Sequence, residues 1–264
     1  MRGQQFFTRF MPWLWPLLGN LRQRALSLAS RLPLKVSVTA AEAAVLRRFI
    51  RTDTPTILDV GANVGYSIRH FMSLFPSAVV HAFEPDPDVF QELRARLPVT
   101  QRLILNNVGI GDQSATLTLY RNSFAPTNSF LRLNLSSIWA RSIFGLREAG
   151  SAQVPVTTLD QYCEAANLLA IDILKIDTQG FEERCLRGAR RLLQEGRVSL
   201  IKIEIIFGDI YGETSSFYQI EQHLHPCGYR LFGPLMLRYS RSGKLLWADV
   251  LYVHNRLLQE TSGA

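Results

Sequence analysis

Apolar positions recur along this chain in two rhythms that take turns. Ala43, Ala44, Leu46, Phe49 and Ile50 share one side of a helix that Thr39 can cap and that breaks by Pro55. Thr56 to Val60 is a short apolar run that reads as a strand. Val64 to Phe75 then reads as a helix with Ile68, Phe71, Met72 and Phe75 inward, ended by Pro76. Ala78 to Phe83 is a second buried strand, Pro87 to Leu97 a helix and Arg102 to Asn106 a third strand.

The alternation lapses between Val108 and Val156. Ala115, Leu117 and Leu119 alternate with polar neighbours, as in a half-exposed antiparallel strand, and about 121–152 lacks a persistent period and reads as an insertion. Insertions of that length usually serve as lids or substrate-binding segments. Helix and strand then resume: Thr158 to Asn167 helical, Ile171 to Ile176 a strand, Phe181 to Leu193 helical, Val198 to Ile205 a strand and Ser215 to His225 helical. Strands near Tyr229 to Phe232 and Trp247 to Val253 close the pattern. Repeated βα units rich in Ile, Val and Leu imply an α/β fold: a Rossmann-like, doubly wound, mainly parallel sheet with helices on both faces. The expected organisation is an arm over 1–38, one domain over 39–258 and a tail over 259–264.

Composition narrows the class. With 264 residues, 47% apolar and 19% charged, the chain can bury a sizeable core and does not resemble a disordered protein. Its three cysteines, Cys163, Cys185 and Cys227, are widely spaced and suggest neither a disulfide framework nor a zinc pair, so a cytoplasmic location is expected. The net charge of +7 is uneven: the first 51 residues hold nine basic side chains and one acidic, whereas the remaining 213 carry a single negative excess. A body without surplus cations is a poor phosphate-binding surface, which argues against nucleic acid. The arm itself is aromatic, with Phe6, Phe7, Phe10, Trp13 and Trp15 between Arg2/Arg9 and Arg22/Arg24. Pro12 and Pro16 make its apolar run too short to span a bilayer. Two readings stand for residues 1–30: peripheral membrane contact, with aromatic rings at headgroup depth, or an apolar arm packed on the body or on a second subunit of a homo-oligomer.

In doubly wound sheets, ligands bind beyond the carboxyl ends of the strands, so three junctions carry the chemistry. The first is Asp59-Val60-Gly61-Ala62-Asn63-Val64-Gly65-Tyr66, where glycines allow a tight turn before a helix whose N-terminus favours an anion and which Asn63 could cap. The second is Glu84-Pro85. Glu84 follows Gly61 by 23 residues, where an acidic side chain can accept both hydroxyls of a ribose. Asn63 stands where a dinucleotide fingerprint needs a glycine, and no Gly-Lys-Ser/Thr follows, so NAD, FAD and P-loop nucleotides are disfavoured. A nucleoside with a carboxylate at its other end, such as S-adenosylmethionine, fits better. The third junction, Lys175-Ile176-Asp177-Thr178-Gln179-Gly180, ends a central strand on Asp177.

Taken together, Ile57-Leu58-Asp59-Val60-Gly61-Ala62-Asn63-Val64-Gly65-Tyr66, Ala82-Phe83-Glu84-Pro85, Thr158-Leu159-Asp160 and Lys175-Ile176-Asp177-Thr178-Gln179-Gly180 resemble the FkbM-type, S-adenosylmethionine-dependent class I methyltransferases over about 56–253. The resemblance implies a seven-stranded sheet. It also implies that Asp59, Gly61 and Gly65 hold the methionine end, that Glu84 accepts the ribose hydroxyls, that Asp112 lies near the adenine edge and that Asp177 lies beneath the sulfonium and the incoming acceptor. Ala62, Asn63, Tyr66, Pro85 and Thr178 are expected among the other cofactor-binding residues. Gln179 stands where many relatives carry Glu.

The implied reaction is methyl transfer to a hydroxyl of a sugar, glycolipid or polyketide-like small molecule. A hydroxyl acceptor must lose its proton, and Asp177 is the first candidate to take it; Glu204 is the second, unless it is only a structural partner of Lys202 or Lys175. Asn128 and Ser129 in the insertion resemble a family segment that could face the acceptor. No metal site is expected, since His223 and His225 lack a third ligand. The alternative reading is a non-catalytic nucleoside-binding scaffold with this fold.

Overall fold

The structure, a computed structural model, describes residues 35–37, 39–98, 100–137, 140, 145–240 and 242–261. Residues 1–34 of the arm expected over 1–38, and with them both readings of residues 1–30, lie outside the described residues, whereas 35–37 are a strand. No helix among the described residues is long and apolar enough to cross a membrane.

Strands β2 (Thr56–Val60), β3 (Val79–Phe83), β4 (Leu103–Asn106), β8 (Ile171–Ile176) and β9 (Val198–Ile206) run parallel; β10 (Tyr229–Tyr239) and β11 (Leu245–His254) complete the seven expected strands, β11 antiparallel to its neighbours. The short β1 (Lys35–Ser37) adds an eighth strand at the edge, giving the order β1-β10-β11-β9-β8-β2-β3-β4. The order reverses between β2 and β8, and a crevice opens there at the carboxyl ends of the strands.

Helices cover both faces because alternate strand residues point to opposite sides. Leu58, Leu174 and Ile201 pack with α4 (Leu159–Ala165), α5 (Glu182–Arg187), α6 (Arg190–Gln194) and α7 (Phe217–Leu224). Ile57, Ile173, Leu200 and Leu251 pack with α1 (Thr39–Phe49), α2 (Tyr66–Leu74) and α3 (Pro87–Arg96). α8 (Asn255–Thr261) follows β11. Both faces are therefore dry in their middle.

Four details depart from the sequence pattern. The expected helix over Phe181 to Leu193 is broken at Gly188-Ala189, where a Cβ on Gly188 would lie 1.9 Å from the Gly111 carbonyl oxygen. Strand β10 continues through Gly233-Pro234 to Tyr239, since register shifts on either side of that pair accommodate the proline. The insertion begins and ends in strands: β6 (Ala115–Asn122) and β7 (Glu148–Thr157) form an antiparallel pair, joined by β5 (Gly109–Ile110) into a second sheet. Residues 148–151 of β7 are exposed on both faces, so no alternation marked them. Asn63 does not cap α2; it adopts a left-handed backbone (φ 48°), accepts from Val64 N–H with its own side chain, and leaves Gly65 as the N-cap.

Candidate active site

The crevice holds a cavity of about 430 Å³, within the range of small-molecule sites. Gly61, Ala62, Asn63, Tyr66, Glu84, Pro85, Asp177, Thr178 and Glu204 all line it. Val108, Ile110, Leu119 and Phe130 supply an apolar wall. Three expected residues do not line it. Asp59 is fully buried behind the glycine turn, Gly65 packs against Leu93 and Leu97, and Asp112 is exposed outside the cavity.

The turn after β2 backs directly onto the turn after β8. Asp177 N–H donates to the Val60 carbonyl at 3.1 Å, and a Cβ on Gly61 would sit 1.9 Å from the Asp177 carbonyl oxygen. With Gly61 at φ +78°, only glycine fits. Asp59 fastens this turn from below. Ser67 donates to its Oδ2, and Lys175 Nζ lies 3.1 Å from its Oδ1. The same Nζ donates to the Gly61 carbonyl at 2.8 Å and stands 3.6 Å from Asp177 Oδ2. Burial works against the charge on Lys175, but Asp59 and Asp177 outweigh it and hold its pKa above the ordinary lysine range.

Glu84 directly follows β3 and has both oxygens engaged: Oε2 accepts from Asn63 N–H and Oε1 from Asp86 N–H, each at 2.9 Å. Each oxygen keeps a lone pair for a further donor. Burial pushes this carboxyl up to about 7. Near it, α2 begins without a side-chain cap, so its first amide groups and dipole remain available to an anion. A buried diol acceptor, an uncapped helix start and a turn that admits no side chain fit the ribose and carboxylate ends of S-adenosylmethionine.

Beyond the turn the chemistry becomes acidic. Asp177 has 38% of its side chain exposed. Gln179, in a left-handed backbone (φ 58°), donates from Nε2 to Asp177 Oδ1 at 2.9 Å and to Glu204 Oε2 at 2.7 Å. Glu204 therefore hydrogen-bonds Gln179 rather than either lysine. Burial, then the charges of Asp177 and Asp249, raises the Glu204 pKa well above the carboxylate range. The single hydroxyl proton of Tyr211 is shared between the Thr127 carbonyl at 2.8 Å and Gln179 Oε1 at 3.0 Å. Beneath the loop, buried Glu182 accepts from Thr178 N–H at 2.9 Å and Gly180 N–H at 3.0 Å, and burial pushes its carboxyl up to about 7.

The insertion roofs the cavity through Ala125, Pro126, Asn128, Ser129 and Phe130. Ser129 donates to the Gln179 carbonyl at 2.8 Å, so this serine anchors the roof. Arg121 clasps buried Asp86 with two hydrogen bonds, at 2.8 and 2.6 Å, and Asn128 adds a third to the same carboxylate. Sequence reasoning missed Asp86, Arg121 and Tyr211 as parts of the site. It also left out Glu42, His70, Lys202 and Asp249, which line its far end. The one available signal was the repeated Lys-Ile-acid ending of Lys175-Ile176-Asp177 and Lys202-Ile203-Glu204. Among the described residues no cluster of three metal-ligating side chains occurs.

The Methyltransferase FkbM domain family matches residues 59–231. The 2-O-methyltransferase NoeI of Sinorhizobium fredii is 29% identical over 190 residues, 69% of this chain and 76% of that protein. The hexuronic acid methyltransferase AglP of Haloferax volcanii is 29% identical over 153 residues, 57% of this chain and 55% of that protein. Among solved structures, methyltransferase FkbM from Methylobacillus flagellatus aligns with a TM-score of 0.48 at 18% identity, over 78% of this chain and 45% of that one.

Proposed function

Because the chain belongs to the FkbM methyltransferase family, we propose that it transfers a methyl group from S-adenosylmethionine to a hydroxyl of a sugar-bearing small molecule or glycolipid. The observation that carries this reading is one cavity opening at once on Glu84, the Gly61 turn and Asp177. Two relatives are named for a 2-O-methyltransferase and a hexuronic acid methyltransferase, which supports oxygen of a sugar as the acceptor atom.

S-adenosylmethionine, when bound, supplies an electrophilic methyl group on a sulfonium. Glu84 holds the ribose hydroxyls and the start of α2 holds the carboxylate. Asp177, beside the Lys175 ammonium and a Gln179 N–H donor, is the group that accepts the acceptor hydroxyl's proton as the oxygen becomes nucleophilic. Glu204, whose pKa burial and its acidic neighbours raise and whose Oε2 accepts from Gln179, orients that hydroxyl and is the weaker claimant to the role of base. Ser129, Tyr211 and Gln179 tie roof to floor, which fixes the acceptor for in-line attack.

The test is incubation of the purified chain with S-adenosylmethionine carrying an isotopically labelled methyl and an extract of sugar-containing metabolites, read by mass spectrometry. A labelled O-methyl sugar is the expected product. Calorimetric binding of neither S-adenosylmethionine nor S-adenosylhomocysteine would overturn the reading.

A further inference from the structure

The cavity does not end at Asp177. It continues under α1 and α2 to Glu42, His70, Lys202, Asp249, Leu235 and Met236. The sheet explains why this end is polar. Strand residues facing α1 and α2 are apolar in mid-sheet (Ile57, Ile173, Leu200, Leu251), and two residues further along the parallel strands the same face carries Asp59, Lys175 and Lys202. One more step brings Asp177 and Glu204, and Glu204 lies directly opposite Asp249 of β11. Three acids on three neighbouring strands thus form a row, backed by a row of two lysines.

Those lysines are already matched. Lys175 is held by Asp59, Asp177 and the Gly61 carbonyl. Lys202 Nζ lies 2.8 Å from Glu42 Oε1 and 3.7 Å from Asp249 Oδ2. Four carboxyl groups (Glu42, Asp59, Asp177 and Asp249) therefore hold two ammonium groups, with Glu204 bound to Gln179 beside them, and neither ammonium is left to meet an incoming anion. What remains is hydrogen-bonding capacity for neutral donors and acceptors. Carboxylate oxygens can receive hydroxyl protons, and the buried Nε2 of His70 has no hydrogen-bond partner, standing 3.7 Å from Glu42. Leu235 and Met236 supply an apolar surface suited to the C–H face of a ring.

We propose that this far end, walled by Glu42, His70, Lys202 and Asp249, is the acceptor subsite and takes an uncharged, polyhydroxylated ring, turning away rings that bear a carboxylate or phosphate. The proposal rests on the methyltransferase reading and narrows its substrate class. It separates this chain from the relative named as a hexuronic acid methyltransferase, since a uronate entering here would meet carboxyl groups and, among the described residues, no lysine that is not already paired.

The experiment uses the full chain saturated with S-adenosylhomocysteine, and ligand-observed NMR with methyl glucoside, methyl N-acetylglucosaminide, methyl glucuronide and glucose 6-phosphate. The neutral glycosides are expected to bind at least roughly tenfold more tightly than the two anions. The Glu42→Gln and Asp249→Asn variants should shrink that ratio severalfold by weakening the repulsion. Equal or tighter binding of the glucuronide or the phosphate overturns the proposal, as does failure of every sugar to bind while S-adenosylhomocysteine still binds. Failure of S-adenosylhomocysteine itself to bind in calorimetry overturns the methyltransferase reading as well, so the two failures are told apart. The wild-type comparison stands even if a variant does not fold.

Discussion

Asp177 and Glu204 are joined through one side-chain amide, that of Gln179, whose nitrogen lies 2.9 Å from the first carboxyl and 2.7 Å from the second. A neutral double donor at this point keeps two acids together without adding a third charge. Gln179→Glu removes both donors and places a third carboxyl in the row. The expected result is the alkaline shift of the pH–rate profile that crowded carboxyls produce, with activity recovering at high pH because many relatives carry Glu at this position. Asp177→Asn should lose roughly 10² or more in kcat at pH 7, whereas Glu204→Gln, which keeps an acceptor oxygen for Gln179, should lose under roughly tenfold. Steady-state kinetics across pH 5 to 9 checks all three, and equal losses at Asp177 and Glu204 would contradict the assignment of the base.

Four buried carboxyls have pKa values raised by burial: Glu84 and Glu182 to about 7, Asp249 to about 6 and Glu204 well above the carboxylate range. A folded-state pKa above the unfolded one means the folded chain binds more protons between the two values. The associated stability is complete below about pH 4 and is lost as pH rises through about 6 to 7 and beyond. The ligand-free protein should therefore be less stable at pH 8 than at pH 5.5, by on the order of 4 kcal/mol. Glu182→Gln, which keeps the Oε1 acceptor for Thr178 and Gly180, should flatten that slope. Urea denaturation at a series of pH values measures both, and stability rising over this range would refute the expectation.

Gly61→Ala places a Cβ 1.9 Å from a backbone oxygen in a turn of positive φ. The two turns must part, at a cost of about 2 kcal/mol or more, and S-adenosylmethionine affinity should fall by at least roughly tenfold. Gly212→Ala, whose Cβ would meet nothing within 4 Å, is the control, with a change under about 0.5 kcal/mol. Thermal melting and calorimetry report the difference.

Arg121→Ala strands the buried Asp86 carboxylate, which also caps α3 through Asp88 N–H. Because Arg121 keeps 28% of its side chain exposed, the expected loss is about 2 kcal/mol rather than that of a fully buried pair. The Asp86→Asn, Arg121→Ala double variant should be no worse than the sum of the singles. Proteolysis should cut the roof near Ala125 sooner in Arg121→Ala than in the wild type.

Much of this was legible from local pattern. The β2–α2, β3 and β8 junctions announced themselves because a strand end, a glycine and an acid fall within a few residues of one another. The roles were less legible than the positions. Asp59 reads as a ligand-binding acid, yet it lies behind the turn and works through Lys175, a contact between neighbouring parallel strands that no spacing along the chain encodes. Asp249 belongs to the site only because β11 runs antiparallel beside β9 in one particular register. The side of the sheet facing α1 and α2 is where distant segments meet, and a single sequence carries no record of such pairings. Gly188 was a visible breaker inside a helical pattern, and its meaning appears only with the Gly111 carbonyl in place.

The Lys175 ammonium touches both halves of the cavity: the Gly61 carbonyl under one, Asp177 in the other. Occupants of the two halves are thus electrically acquainted. A ligand that tugs the glycine turn alters the field in which Asp177 exchanges its proton, and a guest that neutralises Asp177 loosens the grip on the turn. Attempts to retune one half for a new guest will be felt by the other, so redesign of this crevice must treat its two tenants as a pair.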